Sequence, residues 1–143
     1  IVAYYKGQEH LDWILQNHLY NVRAGESKGS ITLDNALINA RYLLLHNGKE
    51  SHHLIRINKE GPKIYTRAEL IKKGYPQYRI SGTDEIDTER EKREANKIYL
   101  VFKLFKNNSA EKELLVYKWD KLGDTRPHTE NLVKLISRAK KIH

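Results

Sequence analysis

Hydrophobic and polar positions alternate and cluster along this chain in a way that predicts short elements of both kinds. Ile1 to Tyr5 is β-branched and aromatic and ends at Lys6-Gly7, which predicts an opening strand. Leu11, Ile14, Leu15 and His18 then recur at helical spacing, so Gln8 to His18 reads as an amphipathic helix with Trp13 beside its apolar face. Tyr20 to Arg23 leads into the Gly- and Ser-rich stretch from Ala24 to Ser30, and Thr32 or Asp34 can cap a turn of helix through Leu37 and Ile38. Arg41 to His46 reads as a buried strand. Asn47-Gly48 marks a hairpin turn, with a return strand over His53 to Ile57.

Gly61-Pro62 turns the chain into Lys63-Ile64-Tyr65. Thr66 with Glu69 three residues later forms a capping-box pattern, and the helix it starts should stop at Gly74 ahead of Pro76. A short run at Tyr78-Arg79-Ile80 follows. Ile98 to Phe105, the polar loop Lys106 to Ala110 and Glu113 to Trp119 are expected to form a second hairpin. Thr129 to Ile142 places Leu132, Val133, Leu135, Ile136 and Ala139 on one face of a final helix. Five to seven short strands with three or four short helices, and no regular alternation, predict an α+β domain. The expected form is a small, strongly bent sheet or barrel flanked by short helices.

The 143 residues, 39% hydrophobic and 31% charged, suit one domain with a modest core. The apolar runs Leu43-Leu44-Leu45 and Ile98 to Phe105 fall far below the ~20 residues of a membrane helix. No basic stretch followed by a long apolar region opens the chain, so neither a signal peptide nor a membrane partner is expected. Absence of cysteine excludes disulfides, thiolate nucleophiles and cysteine zinc sites, and agrees with a cytoplasmic protein. The start at Ile1 and the absence of methionine suggest a piece of a longer protein.

Charge changes the picture further. Twenty-six Lys and Arg against 18 Asp and Glu give +8, which suits a polyanionic partner. Residues 83–96 hold six acids and three bases and read as an exposed helix or insertion. They leave 23 bases and 12 acids elsewhere, so the remainder is more basic than the total.

Assembled catalytic chemistry is not legible. Glu89 to Lys92 and Glu111 to Glu113 fail the acid-then-D/E-x-K pattern of one metal-nuclease class, and the seven histidines include no His-x-x-x-His pair on a helix. Gly25 to Gly29 lacks the Lys-Ser/Thr ending of a phosphate loop. No cofactor is implied. What the chain does offer is aromatic rings interleaved with bases, which is what stacking on nucleobases and neutralising phosphates require.

From Tyr20 to Gln77 the order of features resembles an EVE or YTH-type domain of the PUA-like superfamily. The corresponding pieces are Asn21-Val22-Arg23, the helix around Leu33 to Asn39, Tyr42 to Asn47, His53 to Ile57 and Gly74-Tyr75-Pro76. Ala40-Arg41 stands where that family has Gly-Asp, and Gln77 where it has Asp. The resemblance is similar in kind to the N-terminal recognition domains of McrB-like, modification-dependent restriction systems. It implies a DNA-binding, non-catalytic reader in which an aromatic pocket accepts a modified base, flipped from the duplex.

On that reading Trp13, Tyr20 and Trp119 are the pocket rings, and Asn21 or His46 contacts the base edge. Arg23, Lys28, Arg41, Lys49, Lys63 and Arg67 hold phosphates. A nuclease or GTPase domain or subunit is the expected companion. Two alternatives stay open: an RNA-binding PUA-like domain, and a small metal-dependent nuclease using His46, His52 and His53.

Overall fold

In the computed structural model, residues 1–25, 34–75, 88–120, 122 and 126–142 are described. The predicted elements at Tyr78-Arg79-Ile80, the cap at Thr32, the glycine-rich stretch after Gly25, and residues 83–87 lie outside them.

Continuous apolar runs arise where a strand is covered on both faces, and this chain builds two such sheets. The first has the order β1 (Val2–Tyr4), β3 (Tyr42–His46), β4 (Ser51–Arg56), with β1 parallel and β4 antiparallel to β3. The second is antiparallel, with β6 (Ile98–Lys103) between β2 (Leu19–Gly25) and β5 (Lys63–Thr66). They meet where Ile57 bridges Leu104, Asn58 N–H donates to the Lys103 carbonyl at 2.8 Å and Phe105 N–H to the Arg56 carbonyl at 2.9 Å.

Three apolar clusters fill the layers. The largest joins the inner faces of both sheets, including Leu43, Leu45, Ile55, Tyr20, Val22, Leu100 and Phe102, to Leu11 and Ile14 of α1 (Gln8–Asn17). A second, on the other face of the first sheet, packs Val2, Leu44 and Leu54 with Trp119 and with Leu135 of α6 (Leu132–Ser137). The third seats Leu70 of α3 (Arg67–Lys72) on Tyr99 and Val101, across the other face of the second sheet. Leu44 and Val101 therefore serve different cores from their strand neighbours, which explains the unbroken runs.

The architecture is mixed α+β with six helices and eight strands among the described residues. The expected barrel does not close: those residues link the two sheets through backbone hydrogen bonds only around the Ile57–Leu104 bridge. No described helix is long and apolar enough to cross a membrane.

Local signals set several boundaries. Asp34 caps α2 (Asn35–Ile38) by accepting from Ala36 N–H at 2.9 Å. At α3 the Thr66 hydroxyl accepts from Glu69 N–H at 3.1 Å while the Glu69 carboxylate accepts from Thr66 N–H at 3.0 Å, and Gly74 follows with φ 91°. Thr66→Ala is expected to lose about 1 kcal/mol of stability, measured as a lower denaturation midpoint with an unchanged slope.

Three expectations are corrected. Glu113 to Trp119 is not the partner of Ile98 to Phe105, because both edges of β6 are already occupied by β2 and β5. That stretch instead forms α5 (Lys112–Leu115) and β7 (Tyr117–Lys118), which pairs with β8 (Lys140–Lys141). The final helix is consequently short, and Val133 is 77% exposed rather than on the packed face. His18 is not on the apolar face of α1. It is the exposed C-cap in the left-handed region, φ 54°.

The acidic segment includes α4 (Thr88–Glu94), and its end is docked rather than free. Arg67 N–H donates to the Lys97 carbonyl at 2.8 Å and Ala68 N–H to the Ala95 carbonyl at 3.1 Å. Residues 94–97 thus satisfy the first N–H groups of α3, which its own turns cannot.

Candidate nucleic-acid interface

The outer face of the second sheet is set by strand alternation. Tyr20 and Val22 turn inward, so Leu19, Asn21 and Arg23 turn outward. Across the ladder Asn21 pairs Val101, which pairs Lys63, and Arg23 pairs Tyr99, which pairs Tyr65. Lys103, opposite Leu19, continues the row. Arg23, Lys63 and Lys103 are exposed, and Asn21 is half-buried.

Helix α3 crosses this face and leaves rings at its margin. Tyr65 and Tyr75 pack half-buried against Leu70, Tyr99 and Val101. Lys73 Nζ stands 5.0 Å from the Tyr65 ring centroid. The Trp13 ring lies 5.3 Å from that of Tyr75, tilted by 57°. Burial, with Tyr65 nearby, pushes the Tyr75 phenol up to about 12, so it is a neutral hydrogen-bond donor at physiological pH. The result is a patch of three partly exposed rings among four exposed cations.

Of the predicted site residues, Trp13, Asn21, Arg23 and Lys63 fall on or beside this patch. Others do not. Tyr20 is 6% exposed in the largest cluster, where burial raises its phenol far above the ordinary value. Trp119 is 3% exposed, and its indole N–H donates to the Leu135 carbonyl at 2.6 Å. Both rings are buried, because the apolar volume of each fills a core in a chain that contains no methionine.

His46 is fully buried, tilted against Tyr4, and its Nδ1 accepts from Gly48 N–H at 3.0 Å. The neutral ring therefore carries its proton on Nε2. Its lack of exposure removes it from base-edge contact. Arg67 is likewise fully buried, with Nη1 3.9 Å from Glu94 Oε2, so it serves the interior rather than a phosphate.

Arg41 is exposed on the rim of two clefts, and Lys49 sits in the β3–β4 loop, where its N–H donates to Asn47 Oδ1 at 3.0 Å. Lys28 lies outside the described residues.

His46 and His53, two of the three histidines of the nuclease alternative, are not brought together. His46 packs on Tyr4 and His53 on Tyr5, consecutive residues whose side chains take opposite faces. His53 Nδ1 is instead 2.9 Å from Asn107 Oδ1. The His52 side chain is outside the description, and among the described residues no three His, Cys, Asp or Glu converge.

Lys73 and Lys103 were not singled out by sequence reasoning, and neither Tyr65 nor Tyr75 was assigned to a site. The capping box and Gly74 carried the signal for part of this, since a helix of that length returns Lys73 and Tyr75 to the strand that delivered Tyr65. No protein-family model, curated protein or solved structure matches this chain.

Proposed function

We propose that the chain is a nucleic-acid-binding module whose contact surface is the patch around α3. The observation that carries this reading is the coexistence of half-buried Tyr65 and Tyr75 with exposed Arg23, Lys63, Lys73 and Lys103 on the outer side of the second sheet, with the half-buried Trp13 ring reaching Tyr75 at its margin. Cations supply phosphate affinity without sequence preference, and rings supply stacking that every base can accept.

The proposal keeps the PUA-like kinship, supported by two small sheets whose inner faces share one apolar cluster. It moves the ring set from Trp13, Tyr20 and Trp119 to Trp13, Tyr65 and Tyr75. Recognition of a modified base in a restriction system is the form of this function that the resemblance implies, so methylated duplex DNA is one arm of the test.

Fluorescence anisotropy with plain duplex, methylated duplex, single-stranded DNA and single-stranded RNA, at about 50 and 200 mM salt, should show affinity falling steeply with salt for the preferred ligand. Trp13→Ala is expected to weaken it by about 1–3 kcal/mol. Lys63→Ala with Lys73→Ala should reduce the slope of log affinity against log salt by about 2. Unchanged affinity and slope in variants that retain the parent circular dichroism would remove this surface from the function.

A further inference from the structure

A separate cleft of about 320 Å³ lies between the link from α2 to β3 and the loop that follows β4. We propose that it binds a phosphate monoester, gripped by Arg41, Arg56 and Lys59. All three cations line it, with Glu111 as the one carboxylate among its lining residues.

Glu111 is already committed. Its Oε1 accepts from Arg56 Nη2 at 2.7 Å and its Oε2 from the Tyr42 hydroxyl at 2.5 Å. The cleft therefore keeps a surplus of two positive charges, which matches a phosphate monoester dianion better than a monoanionic carboxylate.

The carboxylate also has a positioning effect. It holds Arg56 by one of its five N–H groups and leaves the rest of the fork for a ligand. It fixes Tyr42, over whose ring the Arg41 guanidinium carbon stands 5.9 Å from the centroid. Two of the three cations are thus oriented before any ligand arrives, which lowers the ordering cost of binding. Among the described residues neither Arg41 nor Lys59 lies within ion-pair distance of a carboxylate. The volume is at the lower end of the roughly 300–1,000 Å³ of small-molecule sites.

Beside it, sharing Asn39, Ala40, Arg41 and Tyr42, is a cleft of about 510 Å³ whose wall includes Leu44, Leu54 and Leu132, where the organic part of such a ligand has apolar surface to cover.

None of these residues belongs to the α3 patch, so the inference stands independently of the proposed function. Calorimetric titration would compare a nucleoside 5′-monophosphate with its nucleoside, and a 5′-phosphorylated oligonucleotide with its 5′-hydroxyl form. The monophosphate is expected to bind at least about tenfold more tightly than the nucleoside, with Arg41→Gln, Lys59→Gln and the charge-keeping Arg56→Lys each losing about tenfold.

A phosphate preference in the oligonucleotide pair alone would assign the site to a strand end, and one in the free monophosphate to a small molecule. Absence of preference in both pairs, or equal affinity in all three variants with parental melting temperatures, would overturn the proposal.

Discussion

Trp119→Ala is expected to remove about 3–5 kcal/mol of folding stability, a large share of the roughly 5–15 kcal/mol available to a domain of this size. The indole fills the second core between Val2, Leu44, Leu54 and Leu135, and its N–H reaches the Leu135 carbonyl. Deleting it leaves a cavity that the two-stranded β7–β8 ladder and the six-residue α6 have few other contacts to close. Trp119→Phe should cost considerably less. The ring is retained, and the Leu135 carbonyl still accepts from Arg138 N–H at 3.1 Å. Guanidinium denaturation would measure both, and nucleic-acid affinity of the folded Phe variant should equal that of the parent. A binding loss without a stability loss would return Trp119 to the ligand surface.

Arg67→Ala is expected to cost a similar amount, about 3–5 kcal/mol, whereas Arg67→Met should cost much less. Arg67 opens α3 with its side chain fully buried, and its charge is answered by Glu94 at the end of the acidic segment. Alanine removes the stem that fills the space and breaks the pair. Methionine also breaks the pair but restores the volume of the stem, and Glu94 keeps Lys97 at 2.9 Å, so no buried carboxylate is left without a partner.

The same contact has a pH signature. Lys97, donating to Glu94 Oε1 at 2.9 Å, is the main cause that holds the Glu94 carboxyl below its ordinary 4.5, with Arg67 and Arg23 adding their fields. A carboxyl that ionises more readily folded than unfolded contributes stability in full above its unfolded value, and that contribution is lost as pH falls through the folded one. Stability should therefore drop on acidification below about 4.5, and less so in Glu94→Gln; parallel acid profiles would contradict this.

The acidic segment illustrates why part of the site was not legible. Six acids in 83–96 announce a solvated face, and the exposed Glu89, Lys92 and Arg93 of α4 fit that expectation. Nothing local reveals that Ala95 and Lys97 carbonyls cap a helix begun at Arg67, since that depends on a long-range return of the chain. Arg67 accordingly reads as a surface base until its burial is seen.

The rings show the same limit. Trp13 lies in α1 and Tyr20 just beyond it, yet strand alternation turns Tyr20 into the core while the helix sets Trp13 at the edge of that core, against Tyr75.

By itself the sequence determined those features whose free energy is local. Thr66, Glu69 and Gly74 bounded α3, Asp34 was one of two caps offered for α2, the 3.6-residue period drew α1, and the apolar runs marked β3 as a buried strand and β6 as a strand. Only the tertiary structure decided which strand lies beside which and which face of each is covered. That is why β6 chose β2 and β5 over the stretch that ends in Trp119, and why four cations and two tyrosine rings share one surface, with Trp13 at its margin, while Tyr20, His46, Arg67 and Trp119 do not. Hydrogen-bond ladders are saturated by partners distant in sequence, and apolar burial is blind to order along the chain, so no local pattern encodes either choice.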